Sequence, residues 1–169
     1  MVTAQALSQL DQEEFVAALD GLYEHSPWVA QRAWRARPFA SRTQLFETLC
    51  GVLREASGEE LMKLVRAHPE LAGKAAVRGE LTEESTREQA SARLDACTLE
   101  EFERLQQLNA AYQEKFGFPF IIAVRGLDRA KIIAHFSARL NNDSETEFRE
   151  ALRQIERIAA LRLEERVTA

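Results

Sequence analysis

Glycine, proline and cysteine are scarce in this chain, at seven, four and two of 169 residues. So few helix breakers predict long regular elements. Cys50 and Cys97 lie outside any C-x-x-C pair, so neither a disulfide framework nor a thiol-ligated metal is expected; two isolated thiols suit a reducing compartment. Positive charge is also short, with 22 Lys+Arg against 27 Asp+Glu and a net charge of −5. Such a chain lacks the basic surface that displaces counterions from a phosphate backbone, so no nucleic-acid partner is expected. No apolar run approaches the ~20 residues needed to cross a bilayer, which argues against a membrane partner. The opening MVTAQALSQLDQEEF has no basic start before an apolar run, and the closing EERVTA has no retention or peroxisomal tripeptide. Together these features predict a soluble, cytoplasmic protein. There is no GxGxxG, P-loop or GxSxG. His25 and His135 stand apart from any Cys, Asp or Glu array at ligand spacing, so no metal site is expected.

What remains is ordinary globular material, 46% hydrophobic and 29% charged, enough for one domain over residues 1–169. Its period is helical. Asp11 with Glu14, Ser41 with Gln44, Ser57 with Glu60, Ser85 with Glu88 and Thr98 with Glu101 each read as a capping pair. Apolar stripes follow: Phe15, Leu19, Leu22; Leu45, Leu49, Val52, Leu53; Phe102, Leu105, Leu108; Ile132, Ile133, Phe136, Leu140. A short helix is expected from about Pro27 to Ala36, another from Glu59 to about Ala67, and one from Ser85 towards Cys97. Gly117 closes the helix after Thr98, Asp128 caps the next, and the longest runs from about Glu145 to Arg166. The stretch from Pro69 to Thr82 has no clear period. Phe118 to Gly126 is the one strand-like run, and one strand makes no sheet. The expected fold is therefore all-α, a single-domain bundle of about seven to nine helices with one extended segment at about 118–125.

Four constellations carry chemistry beside a plainer reading. His68 sits at a helix C-terminus, where an imidazolium simply complements the dipole, yet it is also the natural proton carrier near neutral pH. Ser85 to Gln89 reads as a capping box, and equally as hydroxyl, carboxylate and amide groups gathered at a helix start that suits a polar ligand. Lys115–Ile122 reads as a hydrophobic strand or extended plug, but its backbone has no neighbouring strand, and a flat heterocycle with amide and carbonyl groups would pair with it. Arg162 continues the stripe Phe148, Leu152, Ile155, Ala159; there it either snorkels to solvent or meets a buried anion, a carboxylate for instance. Trp28 and Trp34, close to Arg32, Arg35 and Arg37, read as core packing with a solvated face, and otherwise as a partner surface.

Taken in order, RAHPELAGKAA (66–76), LTEESTREQASA (81–92), KFGFPFIIAVRG (115–126) and IERIAALRLEER (155–166) resemble the 2-oxo-4-hydroxy-4-carboxy-5-ureidoimidazoline (OHCU) decarboxylases, which complete the conversion of urate to (S)-allantoin. The HPEL, SxxEQ and FGFPFI motifs in this order are specific; each alone is weak. The resemblance implies an all-helical lyase of purine catabolism that needs no cofactor, and a homodimer. It implies that His68 is the catalytic proton donor and that Pro69 lines the pocket. Ser85, Glu88 and Gln89 would contact the substrate, with Glu88 also catalytic. Phe120, Ile121, Ile122, Ala123 and Val124 would hold the ring, and Arg162 would face the substrate. A decarboxylase for another ureido-heterocyclic acid, or a non-enzymatic helical module using the Trp28–Arg37 surface, are the other readings of the same residues.

Overall fold

The structure, a computed structural model, describes residues 1–169, with the side chains of all but Lys74 and Ala75. Among the described residues it has ten α-helices, two 3₁₀ turns and no strand, and the one β pairing is an isolated bridge between Val2 and Val167. The all-α expectation holds. The helix count exceeds seven to nine because two five-residue helices, Ala4–Ser8 and Lys74–Arg78, lie in stretches too short to show a period. No helix is long and apolar enough to cross a membrane. The chain forms two compact units, one of Met1–Ala67 with Glu156–Ala169 and one of His68–Ile155.

The first unit contains α1 (Ala4–Ser8), α2 (Gln12–Ala18), α3 (Trp28–Ala33), α4 (Arg42–Glu55) and α5 (Gly58–Ala67), plus the second part of a 23-residue helix, Ser144–Arg166. Its helix starts follow the sequence. Asp11 Oδ1 accepts from the Glu14 amide at 2.9 Å while Glu14 accepts from the Asp11 amide at 3.2 Å, and Ser57 and Glu60 make the same exchange. Ser41 caps α4, but Gln44 returns its bond to the Ala40 amide. Phe15 stacks on Phe39 at 5.8 Å, and Leu45, Leu49 and Leu53 are buried with them. Arg32 lies over the Trp28 ring at 4.7 Å and Arg37 over Trp34 at 3.5 Å, while the Trp34 indole N–H donates to the Leu10 carbonyl. The tryptophans are thus half-buried beneath cations, partly solvated and outside the buried core that the plainer reading expected.

Cys50 takes the buried place on α4 that the stripe assigned to Val52, which is half-buried. Burial first, and then the nearby Glu156 carboxylate, push its thiol up to about 12. Cys97 is half-buried, and both thiols are free. Its thiol is also raised, by burial and then Glu101, but from a more accessible position. A thiol reagent at pH 8 is therefore expected to titrate one cysteine per native chain, a reaction that Cys97→Ser removes, with Cys50 reacting only after unfolding. Rapid labelling of Cys50 in the native protein would contradict this.

The second unit contains α6 (Lys74–Arg78), α7 (Glu83–Ser91), α8 (Leu99–Phe116), α9 (Arg129–Arg139) and the first part of the long helix, now α10 (Ser144–Arg166). Thr98 and Glu101 form a reciprocal capping box, and Gly117 closes α8 at φ 74°, where glycine carries no Cβ penalty. Asp128 caps α9 by accepting from Lys131, and Asp143 accepts from the Thr146 amide and hydroxyl, which holds its carboxyl below the usual range. The capping pair expected at Ser85 and Glu88 is not formed. Thr82 is the N-cap, taking the Ser85 amide, because Thr82 precedes Glu83 and Glu84, whose charges favour the positive end of the helix. Nor does α7 run towards Cys97: it ends at Ser91, and Arg93 turns left-handed at φ 58°. Tyr112 is at the aromatic centre of this unit, with Phe116, Phe118, Phe120 and Phe136 between 4.5 and 5.8 Å from it.

Candidate active site

The correction to α7 moves Ser85, Glu88 and Gln89 from a helix start into its body. At i, i+3 and i+4 they occupy one face, with Ser85 and Gln89 buried and Glu88 half-buried. The helix start expected to suit a polar ligand is not what these residues make; they make a polar stripe on an otherwise solvated helix.

His68 is the first residue after α5. It is 7% exposed, with Nε2 shielded from solvent. The chain then turns sharply, because Ala72 adopts φ 48°, a left-handed conformation costly for a residue with a Cβ. Gly73 must follow: a Cβ there would lie 2.7 Å from the Cβ of Glu70. Three side-chain amides hold the turn. Gln89 Oε1 accepts from the Ala72 amide at 3.0 Å and its Nε2 donates to the Glu70 carbonyl at 3.3 Å. From α8, Asn109 Nδ2 donates to the Leu71 carbonyl at 3.0 Å and Gln106 Nε2 to the Ala72 carbonyl at 2.8 Å. The SxxEQ helix and the HPEL turn are therefore one bonded structure. A cavity of about 500 Å³ opens beside it, with Ala72, Leu81, Gln89, Leu94, Thr98 and Phe102 in its walls.

The run Phe118–Val124 is buried and forms no strand, so its polar backbone must look for partners elsewhere, and two of its groups find side chains. Arg139 Nη1 donates to the Ile121 carbonyl at 2.7 Å, and Gln154 Oε1 accepts from the Ala123 amide at 2.9 Å. Between them, the Ile122 amide and carbonyl have no hydrogen-bond partner among the described residues. Arg139 is itself fixed. Its Nε donates to Glu147 Oε1 at 2.6 Å, the same oxygen takes the Tyr112 hydroxyl at 2.7 Å, and Asn142 donates to the other oxygen at 3.0 Å. The guanidinium also lies 4.3 Å over the Phe120 ring, which stacks on Phe136 at 3.9 Å. Burial and the Glu147 carboxylate raise the Tyr112 phenol far above its ordinary range, so it acts here only as a donor.

Arg162 lies in the first unit and is 3% exposed. Nη2 donates to Glu24 Oε1 at 3.0 Å and Nη1 to the Gly21 carbonyl at 2.9 Å. Of the two readings its stripe position left open, the buried anionic partner is the one found. Its stripe signal applied equally to residues that the sequence reading did not single out. Arg139 continues Ile132 and Phe136, and Glu147 precedes Ala151 and Ile155, all buried on their helices. Asn109 likewise shares a buried face with Leu105 and Tyr112. Gln154 and Gln106 carried no such signal. His25 and His135 are exposed, and among the described residues no group of three His, Cys, Asp or Glu side chains is placed to hold a metal.

Comparison with known proteins gives concordant results. The family model described as OHCU decarboxylase matches residues 8–164. A 2-oxo-4-hydroxy-4-carboxy-5-ureidoimidazoline decarboxylase of Haloferax volcanii is 42% identical over 168 residues, covering 99% of this chain and 98% of that one. A uric acid degradation bifunctional protein of Bacillus subtilis is 37% identical over 99% of this chain, which corresponds to 33% of its own length. Among solved structures, a crystal structure of (S)-allantoin synthase superposes with a TM-score of 0.79 at 29% identity, covering 98% of this chain and 54% of that one.

Proposed function

The chain belongs to the OHCU decarboxylase family and is a carboxy-lyase of urate degradation, and from that premise we propose how its residues carry the reaction to (S)-allantoin. The observation that carries the reading is the bonded unit of His68's turn with the Ser85–Glu88–Gln89 face, held by Gln89. When the carbon–carboxylate bond breaks, CO2 departs and the bond's electron pair forms an enol double bond to the ureido-bearing carbon, while the π pair of that carbon's C=N bond moves to the ring nitrogen, which takes up a proton. The hydroxyl proton leaves as the ring carbonyl forms, and one proton is added to the ureido-bearing carbon. The ring supplies its own electron sink, so the protein's task is to orient the carboxylate, stabilise developing charge and deliver that proton to one face.

We assign the final protonation to His68. Its shielded imidazole leads into a rigid turn, and Pro69 beside it restricts the chain further. Glu88 positions the substrate hydroxyl or the imidazole, and Ser85 and Gln89 contact polar ring groups from the same helix face. The Phe120–Val124 segment holds the ring, with the Ile122 amide and carbonyl matching the hydrogen-bonding edge of a cyclic ureide. Arg162 keeps its implied role as the anchor of an anionic or carbonyl group; the Glu24 carboxylate and Gly21 carbonyl already orient its guanidinium. Action as a homodimer in the cytoplasm belongs to the same proposal, supported by the family's habit and by two free cysteines.

The test is circular dichroism of allantoin formed from freshly generated OHCU. A single-handed signal growing well ahead of the spontaneous reaction is the expected result. Rate and handedness at the spontaneous background, with folded protein, would overturn the proposal.

A further inference from the structure

The segment Phe120–Val124 is gripped on both sides of one residue, Ile122, through the two peptide units that flank it. The Ile121 carbonyl is held by Arg139 at 2.7 Å and the Ala123 amide by Gln154 at 2.9 Å. Neither grip is loose. Gln154 Nε2 donates to Glu150 Oε1 at 2.8 Å, which turns the amide so that its oxygen meets Ala123. Arg139 is tied by Nε to Glu147, a carboxylate with no solvent exposure that also takes bonds from Tyr112 and Asn142. A buried ion pair kept for stability alone is an inefficient device, since apolar residues of similar volume often serve as well. Here the pair spends a guanidinium N–H on one backbone carbonyl in a segment that has no strand to satisfy it.

We propose that Arg139 and Gln154 are positioning residues for the decarboxylation: by fixing the carbonyl before Ile122 and the amide after it, they set the angle at which this segment holds the ring, and hence which face meets the proton donor. The inference rests on the reading that Phe120–Val124 holds the ring. A merely structural role for these residues predicts altered melting; a positioning role predicts altered stereochemistry.

The experiment uses Gln154→Met, a half-buried helical site where an unbranched side chain keeps helix propensity and the melting temperature stays within about 2 °C of wild type. Its companion is the apolar replacement Tyr112→Phe/Arg139→Met/Glu147→Leu. Each is expected to lower kcat/KM about tenfold or more, since small misplacements at a reacting centre are that costly. Each is also expected to lower the enantiomeric excess of allantoin, read by circular dichroism with enzyme in excess. The reversed pair Gln154→Glu/Glu150→Gln, in which the residue at 150 donates and the residue at 154 still accepts from the Ala123 amide, restores the handedness. Wild-type rate and enantiomeric excess in Gln154→Met overturn the proposal, whether or not the triple variant folds. The underlying reading is tested separately, by adding (S)-allantoin to ¹⁵N-labelled wild-type protein. A shifted Ile122 amide supports it, and an unmoved one removes both it and the inference. A shifted Ile122 amide with fully stereoselective variants overturns only the positioning role.

Discussion

Replacing His68 with asparagine is expected to lower kcat by about 10²–10⁴-fold, the range contributed by a positioned general acid, while the protein stays folded and KM changes little. Asparagine keeps a polar group of similar reach at a site only 7% exposed, so no large cavity opens. The bonds that shape the following turn come from Gln89, Gln106 and Asn109 to the backbone of Glu70, Leu71 and Ala72, and none of them uses the imidazole. What asparagine cannot do is carry and release a proton near neutral pH. Because protonation is felt in the transition state and not in the bound substrate, the loss belongs in kcat. Allantoin formation followed by circular dichroism, with the melting temperature as control, measures it. A folded variant turning over at the wild-type rate would remove His68 from the mechanism.

Arg139→Met is expected to be strongly destabilising. It leaves the Glu147 carboxylate, with no solvent exposure, facing the Tyr112 hydroxyl and Asn142 amide but no cation. Breaking a buried pair from one side costs about 3–5 kcal/mol, which for a chain of this size lowers the melting temperature by roughly 6–20 °C. The Ile121 carbonyl loses its donor and the Phe120 ring its guanidinium neighbour in the same stroke. Removing the whole charged cluster, as in Tyr112→Phe/Arg139→Met/Glu147→Leu, is expected to recover most of the stability, because no buried charge or phenol is left wanting a partner. Thermal unfolding of the two variants side by side decides it. A single variant that melts with the wild type would show that Glu147 is not held by Arg139 in the way described.

Much of this was legible before any coordinates, and the legible parts share a physical cause. Asp11, Ser57, Thr98 and Asp128 announce helix starts because capping is a local affair of one side chain and the amides two or three residues on. Gly117 announces an end for the same reason. Ser85 misled because Ser85 and Glu88 satisfy the capping pattern as well as Thr82 does; the acidic pair Glu83–Glu84 settles the choice, and that weighting needs the competing start in view. The motif residues of the candidate site came through resemblance, whereas the residues that hold them did not. Asn109, Arg139 and Glu147 are polar groups on apolar stripes, visible in principle by the argument that singled out Arg162. Gln106 and Gln154 bond to backbone 34 and 31 residues away, and no local pattern encodes a partner at that separation.

The shared use of α8 has a consequence for how length can vary in this chain. Gln106 and Asn109 hold the turn after His68, and Tyr112 and Phe116, one and two turns further on, pack against Phe118 and Phe120. One rigid rod therefore keeps the registry between the two motifs. A single residue inserted between 106 and 112 would rotate everything after it by about 100° and advance it by about 1.5 Å, so that one motif would stay in place and the other would face away. Insertions ahead of Thr98, or in the more exposed turn at 125–127 that follows the buried run, fall outside the rod and only lengthen a connection, at a cost that grows slowly with loop length. Within this stretch the chain behaves as a reading frame, tolerant of substitution at its exposed positions and intolerant of any change in count.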